Sequence, residues 1–219
     1  MVPSGAYPAR LEGRLDRPLS PWLWLVKWVL LLPHFVVLAF LWLAVSVLTL
    51  VAGVAILFTG SYPRSIFDFN AGVMRWTWRV GFYGISAFGT DTYPPFSLQP
   101  DPDYPADFTV DYPEHLSRGL VLVKWWLLAL PHYLIVAVFL GGVGWRVAGL
   151  GLIGLLTVIA MVINAFRHHY PQSLFDFVMG LNRWCYRVLA YAALMRDEYP
   201  PFRVDSGGSD PPAAPPLPA

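Results

Sequence analysis

The chain has 219 residues, 56% of them hydrophobic and only 13% charged, with ten tryptophans and a formal charge of +1. A soluble domain carries about a quarter charged residues, and the near-zero balance leaves no basic surplus to neutralise phosphates, which excludes a nucleic-acid protein. A single cysteine, Cys185, excludes an internal disulfide and a multi-thiolate metal site.

The opening, "MVPSGAYPARLEGRLDRP", has no apolar core and mixes acids with its arginines, so the first apolar segment is expected to act as its own anchor. "ARLEGRL" (Ala9 to Leu15) alternates weakly, in the manner of a strand. From Pro21 to Gly60 the only charged side chain is Lys27, in a run longer than the ~20 residues that cross a bilayer. Within it "LLPHF" places His34 after a proline, about 10–12 Å along the helix from Lys27. "YPRSIFDFNAGVMRWTWRV" (Tyr62 to Val80) then predicts a helix, with Ser65 three residues before Asp68 in capping-box spacing. Asp68, Gly72, Arg75 and Arg79 share one face of it, and Phe69, Val73, Trp76 and Val80 form an apolar stripe beside them. "YPPF" (Tyr93 to Phe96) closes the unit, and "ADFTVDY" (Ala106 to Tyr112) has the alternation of a half-buried strand.

The same elements then return. Lys124-Trp125 repeats Lys27-Trp28, "ALPHY" places His132 after Pro131, and "YPQSLFDFVMGLNRWCYRV" (Tyr170 to Val188) matches its forerunner at eleven of nineteen positions. Ser173 and Asp176 repeat the capping pair, Arg183 and Arg187 the basic face, Trp184 the stripe, and Tyr199 to Phe202 the closing motif. The chain is a tandem duplication. Residues 1–98 and 99–204 form the two units, and 205–219 a Pro-rich tail too poor in apolar surface to fold.

Each apolar stretch is expected to be a transmembrane hairpin, at about 21–60 and 119–166. The first would turn near Leu41 to Ala44 and the second at "GGVGWR" (Gly141 to Arg146), where ten extra residues are accommodated. The rival arrangement makes Trp22 to Leu32 an interfacial helix and leaves one crossing per unit. Four crossings put all but Arg146 of the fifteen Lys and Arg residues on one face, cytoplasmic by the positive-inside tendency, with both termini there. The units would be related by an axis along the membrane normal, as a parallel repeat. The expected fold is therefore all-α with four transmembrane helices. Amphipathic interfacial helices follow at about 65–88 and 173–195, with a small cytoplasmic sheet formed by the two alternating segments and the Tyr-Pro-Pro-Phe tails.

Two functional readings follow. In the first, the helices after each hairpin lie in the headgroup zone as a collar. Arg75, Arg79, Arg183 and Arg187 contact lipid phosphates or a partner protein, anchored by Trp76 and Trp184. The bland version of the same motif is a structural brace. In the second, the matched intramembrane histidines His34 and His132 serve a small transporter or proton-linked permease. A structural role for them, bonding across helices near each proline, competes strongly. No acid accompanies them, and a two-histidine metal site lacks its other ligands. No nucleophile–base pair and no phosphate-cradling loop is present, so neither an enzyme nor a cofactor is expected.

With Leu-Pro-His upstream, the motifs Tyr-Pro-x-Ser-x-Phe-Asp-Phe, Arg-Trp-x-x-Arg-Val and Tyr-Pro-Pro-Phe resemble a bacterial membrane family catalogued as domain of unknown function 4389. The resemblance covers nearly the whole chain apart from the tail and implies a duplicated protein of the bacterial inner membrane, without supplying an activity. The first unit departs from it in "YPARLEGRLDRPLSPW" and in its shorter apolar stretch. The expected role is a non-enzymatic scaffold whose partners are membrane lipids and an unidentified membrane or cytoplasmic protein.

Overall fold

The computed structural model describes residues 7–142 and 151–207. Most of the proposed Gly-rich turn, Arg146 with it, and the tail from residue 208 onward lie outside the described residues. The fold is mostly helical with one small sheet. Strand β1 (Ala9–Gly13) is followed by α1 (Trp24–Leu30), α2 (Leu32–Thr59) and α3 (Arg64–Tyr83). Strand β2 (Ala106–Val110) opens the second unit, followed by α4 (Leu120–Val123), which continues through a π-helical turn (Lys124–Leu128). Helices α5 (Leu130–Leu140), α6 (Leu152–Arg167) and α7 (Gln172–Ala192) complete the chain. The Tyr-Pro-Pro-Phe segments are loops, not strands.

The first hairpin is absent. Residues 32–59 form one continuous 28-residue helix, unbroken at Leu41 to Ala44, because nothing there interrupts its backbone ladder. The helix ends at Gly60, whose φ of 74° is the left-handed cap that glycine allows. In the second unit the ten extra residues fall largely on 143–150, outside the described residues. The chain leaves α5 at Gly141 and comes back at Gly151, which packs directly against the backbone of Phe139, Leu140 and Gly141. Ile153, Ala160 and Asn164 of α6 are buried, as are Val45, Ala52 and Ile56 at the same distances from the unit's Tyr-Pro. Helices α5 and α6, of 11 and 16 residues, thus repeat α2 with an interruption, and both pack on α7 as α2 packs on α3. Among the described residues, one helix (α2) is long and apolar enough to cross a membrane, or two if α4 to α5 is taken as one bent span. Four are not.

Helices α3 and α7 occupy the centre of the molecule. Each retraces its apolar helix: Asn70 bonds Thr49 and Trp42 bonds Thr77. The opposite flank of each packs on the other unit's strand, α3 on β2 and α7 on β1. Their expected place as interfacial helices is corrected, since half or more of each is buried. The capping box is corrected too. Helix α3 begins at Arg64 with Pro63 as N-cap, so Ser65 lies inside it and makes no cap bond. Asp68 pairs with Arg64 one turn back at 3.1 Å. In α7, Pro171 takes the cap position before Ser173, and Asp176 accepts a hydrogen bond from Gln172. Proline has no N–H to satisfy and fixes the entry angle, which leaves the serine without a capping task.

The units run in opposite directions. The Tyr62 hydroxyl at the end of the first apolar helix reaches the Ala193 carbonyl after α7, and the Tyr170 hydroxyl reaches Ala87 after α3. The Leu116 N–H donates to the Gly60 carbonyl, so the second unit begins where α2 ends. Asn164, near the end of α6, donates to the Ser20 carbonyl. Strands β1 and β2 pair antiparallel with Leu11 opposite Phe108, residues that occupy the same place in their units. These reciprocal contacts relate the units by a pseudo-two-fold near that pair, with α2 and α6 running in opposite directions. The parallel arrangement of crossings is corrected, because it depended on a hairpin that does not form.

Candidate functional site

The sequence singled out two matched histidines, and the structure encloses each in a box of aromatic rings. His34 lies in the first turn of α2 and is fully buried. Its Nδ1 accepts a 3.0 Å hydrogen bond from Trp76 Nε1 of α3. Phe96 stacks on the ring at 3.9 Å between centroids, with 13° between planes, and Tyr93 closes another side. The second unit repeats the arrangement around His132, with Trp184 at 3.1 Å, Phe202 stacked at 4.3 Å, and Tyr199. The Tyr-Pro-Pro-Phe motif is thereby explained: it returns the chain over its own unit's histidine.

The tryptophan bond determines what the histidines can do. An indole N–H only donates, so each Nδ1 presents a lone pair and the imidazole proton sits on Nε2. A metal at Nε2 would need the lone pair that this proton occupies. A relay would need Nδ1 to take a proton while facing an N–H. Each Nε2 is buried, and His34 Nε2 makes no hydrogen bond among the described residues, while the Pro200 backbone faces His132. The geometry therefore supports the structural role for His34 and His132, and each stays within its own unit's box.

The arginines are also inward. Arg75 pairs with Asp107 at 3.0 Å and donates to the Leu98 carbonyl, with 11% of its side chain exposed. Arg79, wholly buried, donates to the Gln99 carbonyl and reaches the same Asp107 at 3.4 Å. Arg183 bonds the carbonyls of Leu11, Asp205 and Gly207. Arg187 pairs with Asp205 at 2.7 Å. Burial draws the Arg79 guanidinium below its ordinary range, and Asp107 opposes that shift. The arginines stitch α3 and α7 to the strands and to the segments following the closing motifs. Their expected contact with lipid phosphate or a partner is corrected, because Arg79, Arg183 and Arg187 are buried and Arg75 is committed to Asp107 with 11% of its side chain exposed. Trp76 and Trp184 are buried as well, and among the described residues the exposed indoles are Trp22, Trp28, Trp125 and Trp126.

Sequence reasoning passed over two further pairs. Lys27 donates to the Thr90 carbonyl at 2.6 Å and pairs with Asp91 at 2.8 Å, and Lys124 repeats this with Arg196 and Asp197. Burial pulls the Lys27 ammonium down, and Asp91 partly restores it. The signal was present in the matched Lys-Trp pairs and in the acid two residues before each Tyr-Pro-Pro-Phe. Burial pushes the Cys185 thiol up to about 12, which makes it a poor nucleophile. Among the described residues no cluster of three His, Cys, Asp or Glu side chains is placed to hold a metal.

A family model described as a domain of unknown function (DUF4389) matches the chain twice, at residues 22–97 and 126–203. No curated protein and no solved structure matches.

Proposed function

The chain belongs to the DUF4389 family, carrying its domain in tandem, and we propose that it is a non-enzymatic membrane scaffold embedded from one face. The observation that carries this reading is the segregation of its surface. Only 17% of the most apolar window of α2 is buried, and Leu32, Val36, Phe40, Leu43, Val47, Leu50, Val54 and Phe58 face outward along its full length. Helices α1, α5 and α6 and the π-helical turn continue the apolar surface. An apolar face on this scale requires lipid or a partner.

Orientation follows from the strands. Thr77 bonds Trp42 near the middle of α2, and the adjacent Trp78 donates to the Glu12 carbonyl of β1. The sheet thus stands abreast of the middle of α2, and its outer face carries exposed Glu12 and the Arg10–Asp111 pair. At about 42 Å, α2 is long enough to span the ~30 Å hydrocarbon core. Upright, however, it would hold those charges near the midplane, at about 2.5–3.5 kcal/mol each. With α2 lying in the membrane plane, the pseudo-two-fold axis stands along the normal, the sheet faces water, and the two units immerse equivalent surfaces. The exposed indoles at Trp22, Trp28, Trp125 and Trp126 suit the interface. The polar sheet face is then the surface offered to a cytoplasmic partner.

Labelling from one side of the membrane tests this. Ser61→Cys and Thr92→Cys lie near opposite ends of α2, against a background in which Cys185 is buried. An impermeant maleimide should label both from the same side of sealed vesicles. Labelling from opposite sides would establish a spanning α2 and overturn the in-plane reading.

A further inference from the structure

Resting on membrane embedding, we propose that the chain holds one glycerophospholipid, with an acyl chain in a groove between α2 and the α4 segment and its phosphate at Arg118. The groove has a volume of about 300 Å³ and is lined by Leu50, Gly53, Val54 and Leu57 of α2, facing Val121 and Trp125. No charged side chain lines it.

Gly53 opens the groove, since a Cβ there would stand 3.1 Å from Leu194 and 3.7 Å from Val121. In the other half the corresponding residues are Met161, counted from Tyr170 as Gly53 is from Tyr62, and Trp24, counted from Lys27 as Val121 is from Lys124. Both are larger, and both pack against the core. The duplication has therefore placed Met161 and Trp24 where Gly53 and Val121 leave this groove open.

Arg118 stands at the end of this groove. It follows the last turn of α2 beyond Leu57, with its Nε 3.6 Å from where a Gly60 Cβ would be, and it precedes Val121 by three residues. It is exposed and has no ion pair or hydrogen bond among the described residues. The corresponding position in the other half is Pro21. An uncommitted cation at the mouth of an uncharged, lipid-exposed groove is complementary to a lipid phosphate and its tail. Free phosphate would leave the apolar groove unfilled, and a fatty acid would bring no phosphate to Arg118.

The test is native mass spectrometry of the full chain released from nanodiscs of palmitoyl-oleoyl phosphatidylglycerol and phosphatidylcholine, with vesicle pelleting run in parallel. The wild type should retain one phospholipid per chain and prefer phosphatidylglycerol. R118Q, an exposed change, should lower that preference about five-fold, the equivalent of one surface cation. G53M combined with V121W, which approximates the filled half, should retain no lipid while pelleting as the wild type does. Retention of one lipid by that double variant, or an unchanged preference in R118Q, would overturn the groove assignment while membrane embedding stood. A wild type that fails to pellet would overturn the embedding and the groove with it.

Discussion

At the residue scale, the repeated motifs encode two kinds of buried polar contact. The histidine serves as an acceptor for a tryptophan, and the arginines serve as long donors that close distant segments onto α3 and α7. Removing the His34 acceptor leaves the Trp76 N–H buried without a partner, a loss of about 1–3 kcal/mol. His34→Leu should therefore lower the unfolding midpoint, and Trp76→Phe in the same chain should recover part of it. A double-mutant cycle in detergent should show coupling of about 1–2 kcal/mol between the two residues. Additive effects would mean the bond contributes nothing. The boxes were half legible in the sequence. Spacing showed that His34 and His132 were equivalent, but the Trp bond joins residues 42 and 52 positions apart, which no local pattern reports.

At the element scale, the segment after α7 acts as a strap. Asp205 takes Arg187 at 2.7 Å and Arg203 at 3.0 Å, while its backbone carbonyl accepts from Arg183. Burial alone would raise the Asp205 carboxyl, but Arg187 and Arg203 hold it below the usual carboxylate value. Burial also opposes ionisation of Glu198, and Arg196 outweighs it. Both carboxyls thus have a lower pKa folded than unfolded, so their stabilisation is present above about pH 4 and lost as pH falls through the folded values. Hydrogen-exchange protection of residues 198–207 should fall below about pH 4 while the core of α7 stays protected. Asp205→Asn should loosen the same amides at neutral pH. Acid-insensitive protection would show that the strap is held by its apolar contacts. The helices themselves were legible from apolar runs and repeated faces, although the capping residues were misassigned, and the straightness of α2 was not legible. Ten residues of length difference suggested a turn in both copies, and only the tertiary structure shows that α2 runs unbroken while Gly151 meets the backbone of Phe139 to Gly141 in the second copy.

At the scale of the whole molecule, the polar and apolar surfaces lie on opposite sides of the central α3 and α7 layer. Phe40 is 71% exposed on α2 and takes no part in the core. Phe40→Glu should leave stability within about 0.5 kcal/mol while markedly reducing co-pelleting with vesicles. Arg10→Glu, on the outward face of the sheet, should leave pelleting unchanged. If both substitutions behave alike, the apolar face is not the membrane face. The interlocking of strand and helix between units also means that neither unit buries its own helix completely. The duplication makes one body, in which β1 covers α7 and β2 covers α3.

By itself, the sequence determined the duplication, the identity of most elements and the apolar character of the long helices, because composition and period are local properties. It also pointed to the two strands and to the residues that would matter. Only the tertiary structure decided what those residues face. An arginine stripe beside an aromatic stripe has the same helical period whether it meets lipid phosphates or Asp107, Asp205 and a row of backbone carbonyls. The direction of one unit relative to the other was likewise outside the reach of spacing. It depends on contacts such as Tyr62 to Ala193 and Gly60 to Leu116, formed by segments 56 to 131 residues apart.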